Sequence, residues 1–163
     1  MTQEEKDLLI KEFCARGYSK LKCYAPDDEY GNVGILYSID PFEKDEPNVW
    51  IQYPKGNIVA KFISEVKPYL RPPSSMTNKE IANTIKYVFK TDNVIYTSKE
   101  NEGIGFYIVL KNKIQIKIDE FKIKLGEYGI SNIDSLNANH FDYRGLIPRG
   151  LALEAPEGMY VIE

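Results

Sequence analysis

The sequence predicts an α+β protein. An N-terminal helix and a small SH3-like or Tudor-like β-barrel are expected over residues 1–72, a connector over 73–76, and a smaller α/β half over 77–163. Three observations carry this reading. Thr2 and Glu5 form a capping box ahead of Leu9, Ile10, Phe13 and Cys14 at helical spacing. Residues 20–72 then break into five short strand-like runs separated by turn residues. Finally, Lys67-Pro68-Tyr69-Leu70-Arg71-Pro72-Pro73 places three prolines within six residues, and Thr77 with Glu80 opens a helix directly after it.

The first helix is expected over roughly residues 3–15, with Gly17 as its stop, packing on the β half as a lid. In the barrel, Leu21, Cys23 and Ala25 alternate with Lys20, Lys22 and Tyr24. Val33–Ile39, Val49–Tyr53 and Ile58–Ile63 are the next strands, separated by two acidic loops and the tight turn Pro54-Lys55-Gly56-Asn57. Ser64-Glu65-Val66 makes a 3₁₀ turn before a short fifth strand, Lys67–Leu70. Each proline pushes its predecessor out of the helical region, so Pro-Pro-Ser-Ser is a stiff seam between the halves.

Beyond Thr77, Ile81, Ile85, Val88 and Phe89 form a helical stripe. Val94–Tyr96 reads as a strand, and Ile104–Leu110 with Lys113–Ile118 as a hairpin. Residues 119–125 fit a helix or a strand, with the balance towards helix. Ser131 opens a last helix, with Asp134 at its capping-box position and Ile133, Leu136, His140 and Phe141 inward. The glycine-rich tail reads as a tight turn followed by a docked extended segment.

Composition narrows the function classes. At 43% apolar and 28% charged, the 163 residues can bury a full core without metal or disulfide staples. Residues 1–72 hold 10 basic and 12 acidic side chains, and 73–163 hold 11 and 12, so neither half is a basic nucleic-acid domain. Cys14 and Cys23 are expected to be buried and reduced, and with the polar, acidic start Met-Thr-Gln-Glu-Glu-Lys they point to the cytoplasm. No run approaches the length of a membrane helix.

Three blocks carry a resemblance. They are the centre Lys67-Pro68-Tyr69-Leu70-Arg71-Pro72 with Ser74-Ser75-Met76-Thr77, the tail His140-Phe141-Asp142-Tyr143-Arg144-Gly145-Leu146-Ile147 with Gly150–Tyr160, and the opening Met1–Leu9 with Cys14-Ala15-Arg16. Together, about a third of the chain resembles a group of small uncharacterised proteins of gut bacteria and their phages and mobile elements. The resemblance implies a small accessory protein of a mobile element and implies no chemistry.

Three constellations bear on function. The barrel carries Tyr24, Tyr30, Tyr37, Trp50, Tyr53 and Tyr69, the residue types that line peptide grooves on such barrels or, on a structural reading, fill its core. His140, Asp142, Tyr143 and Arg144 combine a histidine, an acid, a phenol and a guanidinium. They fit a partner site, an acid/base site, or caps and pairs at a helix end. Lys111, Lys113, Lys117, Lys122 and Lys124 make a local charge of +3 over residues 111–124. They fit phosphate contacts or a solvated strand face. Phosphate cradles, metal-ligand spacings and activated nucleophiles are absent, so no metal or cofactor is expected. The leading expectation is a non-enzymatic accessory or regulatory module that binds a host or phage protein. Nucleic-acid binding through the lysine strand is the second reading, and a small enzyme using His140 the third.

Overall fold

The computed structural model describes residues 1–17, 19–41, 46–77, 79–80, 95–98, 106–109, 115–117 and 133–160, with backbone alone given at 95–98, 106–109, 115–117, 133 and 135. The chain divides into two compact units, Met1–Arg71 with Asn137–Glu163, and Pro72–Leu136. The tail, read from sequence with the second half, is thus grouped with the first unit.

The first unit begins with α1 (Gln3–Arg16). The Glu5 N–H donates to Thr2 Oγ1 at 3.2 Å, and the Thr2 N–H donates to Glu5 Oε2 at 2.7 Å. These bonds satisfy two of the donors that a helix start leaves open. Gly17 ends α1 in right-handed geometry, and the left-handed residue falls later, at Lys20.

Then come β1 (Lys22–Asp27), β2 (Gly31–Asp40), β3 (Asn48–Gln52), β4 (Ile58–Phe62), a 3₁₀ turn at Ile63–Glu65 and β5 (Lys67–Leu70). Period-two alternation turns Cys23, Ala25, Leu36, Val49, Ile51 and Leu70 to one face, where Leu9 and Phe13 of α1 join them in the core. The sheet runs β4-β3-β2-β1-β5-β9, where β9 (Leu153–Glu154) comes from the tail and pairs parallel with β5. All other pairings in it are antiparallel. Among the described residues no ladder joins β4 to the far edge, so the sheet is open.

Side chains reach across the curled inner face instead. Tyr53 Oη donates to Ala25 O at 2.7 Å, and Lys61 Nζ on β4 meets Asp27 and Pro26 O at the end of β1, at 2.9 Å each. Leu9 and Phe13 of α1 and the tail's Leu146, Leu151 and Ala152 belong to the same buried core.

α1 presents Leu9, Glu12, Phe13 and Arg16 inward, a stripe rotated from the expected one. Cys23 is buried as expected, but Cys14 is exposed. The rotation brings a buried acid and a buried base, one turn apart, to face the tail.

In the second unit the seam forms a 3₁₀ turn, Pro73–Ser75. Thr77 and Glu80 then make the expected capping box: the Glu80 N–H donates to Thr77 Oγ1 at 3.2 Å, and the Thr77 N–H donates to Glu80 Oε2 at 2.8 Å. β6 (Ile95–Ser98), β7 (Phe106–Val109) and β8 (Gln115–Lys117) form an antiparallel three-stranded sheet. The expected stripe at 81–89, the segment 119–125, and Lys111, Lys113, Lys122 and Lys124 lie outside the described residues. Lys117 falls on β8. α2 (Ile133–Ala138) precedes the returning tail in the chain. No described helix is long and apolar enough to cross a membrane.

Candidate functional site

Strand register fixes what the outer face of the six-stranded sheet presents. Val49 and Ile51 point into the core, so Asn48, Trp50 and Gln52 point outward. Trp50 pairs with Ala60, Gln52 with Ile58, and Asn48 with Phe62, so Ile58, Ala60 and Phe62 lie on the same outer face. On β2, Ile35 pairs with Gln52 and Ser38 with Trp50, with a bulge at Tyr37 between them. Val33 and Tyr24 pair on the neighbouring strands, and Tyr24 pairs with Lys67.

The outcome is an apolar surface at the β4 side of the sheet. Tyr37 is 57% exposed, Phe62 50%, Trp50 40%, Ile58 40% and Val33 37%. A lone exposed apolar side chain is ordinary, whereas several on adjacent strands of one face make a candidate contact surface. β4 is also an edge strand with five unbroken pairs to β3, and its one charge, Lys61, is turned away towards Asp27. The opposite edge, β9, has only two residues, followed by Pro156. The sheet is therefore guarded at one end and open at the other.

A groove of about 490 Å³ adjoins this surface. Val33, Ile35, Gln52 and the β3–β4 hairpin line it, together with Lys22 and Met159. Met159 is held there by its neighbour. Tyr160 Oη accepts from the Lys22 N–H at 3.2 Å and donates to Tyr69 O at 2.8 Å, bridging the ends of β1 and β5. Burial pushes the Tyr160 phenol up from its ordinary range. Gly34, at the groove's floor, permits the close approach of β2 and β3. A Cβ there would run into the Ile51 side chain and lie 2.9 Å from Gln52 O. Gly34→Ala is expected to lower the unfolding free energy by about 1–3 kcal/mol, measured by urea denaturation.

Of the aromatic set, Trp50, Tyr37 and the half-buried Tyr24 and Tyr69 lie outside the core, Tyr69 beside the strap of Tyr160. Tyr53 does not: it is 2% exposed, its ring lies 5.9 Å from that of Tyr30, and its hydroxyl is spent on Ala25 O.

The second constellation folds inward. Glu12 is fully buried and pairs with both Arg16 and Arg144. Arg16 donates to Asn137 O at 3.0 Å and Phe141 O at 2.6 Å, which staples α1 to the tail. Asp142 accepts from the Leu146 and Ile147 N–H groups at 2.7 and 2.8 Å, so it caps the turn that follows. Tyr143 Oη donates to Asn137 Oδ1 at 3.0 Å, and the Arg144 guanidinium lies 4.5 Å from the Tyr143 ring.

His140 stands at φ 60°, stacks on Tyr160 at 3.9 Å, and has no hydrogen-bond partner for Nδ1 among the described residues. Burial, then the charges of Arg16, Arg71 and Lys22, lower its pKa to about 4. The imidazole is 5% exposed and neutral at pH 7, and it packs as an uncharged ring against Tyr160. Among the described residues no three His, Cys, Asp or Glu side chains converge to hold a metal ion.

Sequence reasoning missed Lys22, Gln52, Ile58, Phe62 and Met159 on the outer face, and Glu12, Arg16 and Tyr160 beneath it. Strand parity carried the signal for Ile58 and Phe62. No family model, curated protein or solved structure matches the chain.

Proposed function

We propose that the protein is a non-enzymatic interaction module that binds a protein partner through the outer face of its six-stranded sheet. The observation that carries this is the apolar set Val33, Tyr37, Trp50, Ile58 and Phe62, all exposed and clustered at β2, β3 and the open edge of β4. Tryptophan and tyrosine supply large contact area at small entropic cost, and an unguarded edge adds backbone donors and acceptors. An SH3-like fold is part of the proposal. The order β4-β3-β2-β1-β5, the 3₁₀ turn before β5 and the side-chain bridges across the inner face support it. The setting proposed is that of a cytoplasmic accessory or regulatory protein of a phage or mobile element, in keeping with the resemblance of the opening, centre and tail.

The test uses the intact protein as bait in host lysate, beside Trp50→Lys and Phe62→Lys. Both positions are exposed, so the variants are expected to melt like the parent. A stoichiometric partner retained by the parent at high salt and weakened at least about tenfold by Trp50→Lys supports the reading, as expected for a central aromatic anchor. A partner held equally by all three proteins removes this face from consideration. Recovery of nucleic acid that washes off with salt would instead favour the lysine strand.

A further inference from the structure

We infer that the groove beside this face is a receptor for a carboxylate carried on an apolar body. The inference rests on the reading of the outer face as an interaction surface and names what the groove accepts. Its walls are apolar at Val33, Ile35, Pro54 and Met159, with the Gln52 amide as a polar handle. At about 490 Å³ it falls within the size range of ligand pockets. Among the described residues Lys22 is the one charged side chain lining it.

The Lys22 ammonium donates to Met159 O at 2.9 Å and lies 6.0 Å from the Tyr160 ring, while the residue's backbone N–H is fixed by Tyr160 Oη. These contacts hold the cation in place, and among the described residues they leave its charge without a counter-charge. A carbonyl takes one of the three ammonium donors and supplies no counter-charge, and no carboxylate pairs with Lys22 among the described residues. A fixed cation at the edge of an apolar cavity favours a monoanion whose remainder is apolar, because the charge-assisted bond strengthens as water is displaced. One lysine without an arginine fork or a helix start beside it suits a carboxylate better than a phosphate. Two sources share this chemistry: the C-terminal residue of a protein chain, and a free aliphatic acid.

The experiment titrates the ¹⁵N-labelled full chain with N-acetyl-Leu-Leu as free acid, the same dipeptide as C-terminal amide, and octanoate, following amide shifts. The expected result is perturbation at Lys22, Val33, Ile35 and Gln52, with the acid binding about tenfold more tightly than the amide. Lys22→Gln erases that difference, and Gln52→Glu, which places a carboxylate in the groove, weakens the acid while sparing the amide. Tighter binding of octanoate than of the dipeptide acid supports the receptor and assigns it to free acids. Equal binding of acid and amide, or no perturbation at these residues by about 10 mM ligand, a concentration that would reveal even a millimolar site, overturns the inference. Either result leaves the Trp50→Lys comparison to decide the interaction face by itself.

Discussion

Glu12→Ala is expected to lower the unfolding free energy by about 3–5 kcal/mol, among the largest losses any single substitution here should cause. Glu12 is fully buried between Arg16, itself 1% exposed, and Arg144. Removing the carboxylate takes from the interior the acid that pairs with the Arg16 guanidinium. Burial already draws that guanidinium below its usual range, and Glu12 opposes the shift. Arg144→Ala removes a partly exposed partner and should cost much less, about 1–2 kcal/mol. Urea denaturation of the two variants checks the ranking. If Glu12→Ala costs no more than Arg144→Ala, the buried pair does not hold α1 to the tail.

Acid should weaken the fold through His140. The unfolded imidazole takes a proton near its ordinary pKa of 6.5, while the folded one resists until about 4. Between those values the unfolded state binds more protons, so stability falls as pH drops from about 6.5 to about 4 and is fully present above that window. The loss is expected to reach roughly 2–3 kcal/mol. Lowered pKa values at Glu5, Asp27 and Glu46 add further acid sensitivity at lower pH. A variant therefore isolates the histidine. Asn tolerates the left-handed backbone at this position and does not titrate. His140→Asn should flatten the profile between pH 6.5 and pH 4 and leave its lower limb in place. Parallel profiles of parent and variant across that window would show that His140 is not what titrates.

Much of the strand order could be read because period two is local. Cys23 and Ala25, or Val49 and Ile51, reveal their face within a few residues. The same parity separates Trp50 from Tyr53: 49, 51 and 53 share the inner face, and 50 takes the outer. Grouping the barrel's aromatics by residue type concealed that division and left the face of Ile58 and Phe62 unassigned. The α1 stripe was harder. Glu12 and Arg16 look like solvent positions until the tail's carbonyls and Arg144 are known to lie against them. Nothing local announces that partnership, since Arg144 is 132 residues from Glu12. The groove was illegible for the same reason, because its far wall is Met159.

The parallel pairing of β9 with β5 also sets an order of events during synthesis. β5 and the five-strand order around it are complete by Leu70, yet the hydrophobic interior they enclose lacks Leu146, Leu151 and Ala152 until the end of the chain appears. A ribosome must add all of Pro72–Leu136 before the first unit can be sealed. Throughout that interval the unit awaits its last strand with apolar side chains uncovered on its inner as well as its outer side, and a nascent chain in that state is a natural client for a chaperone.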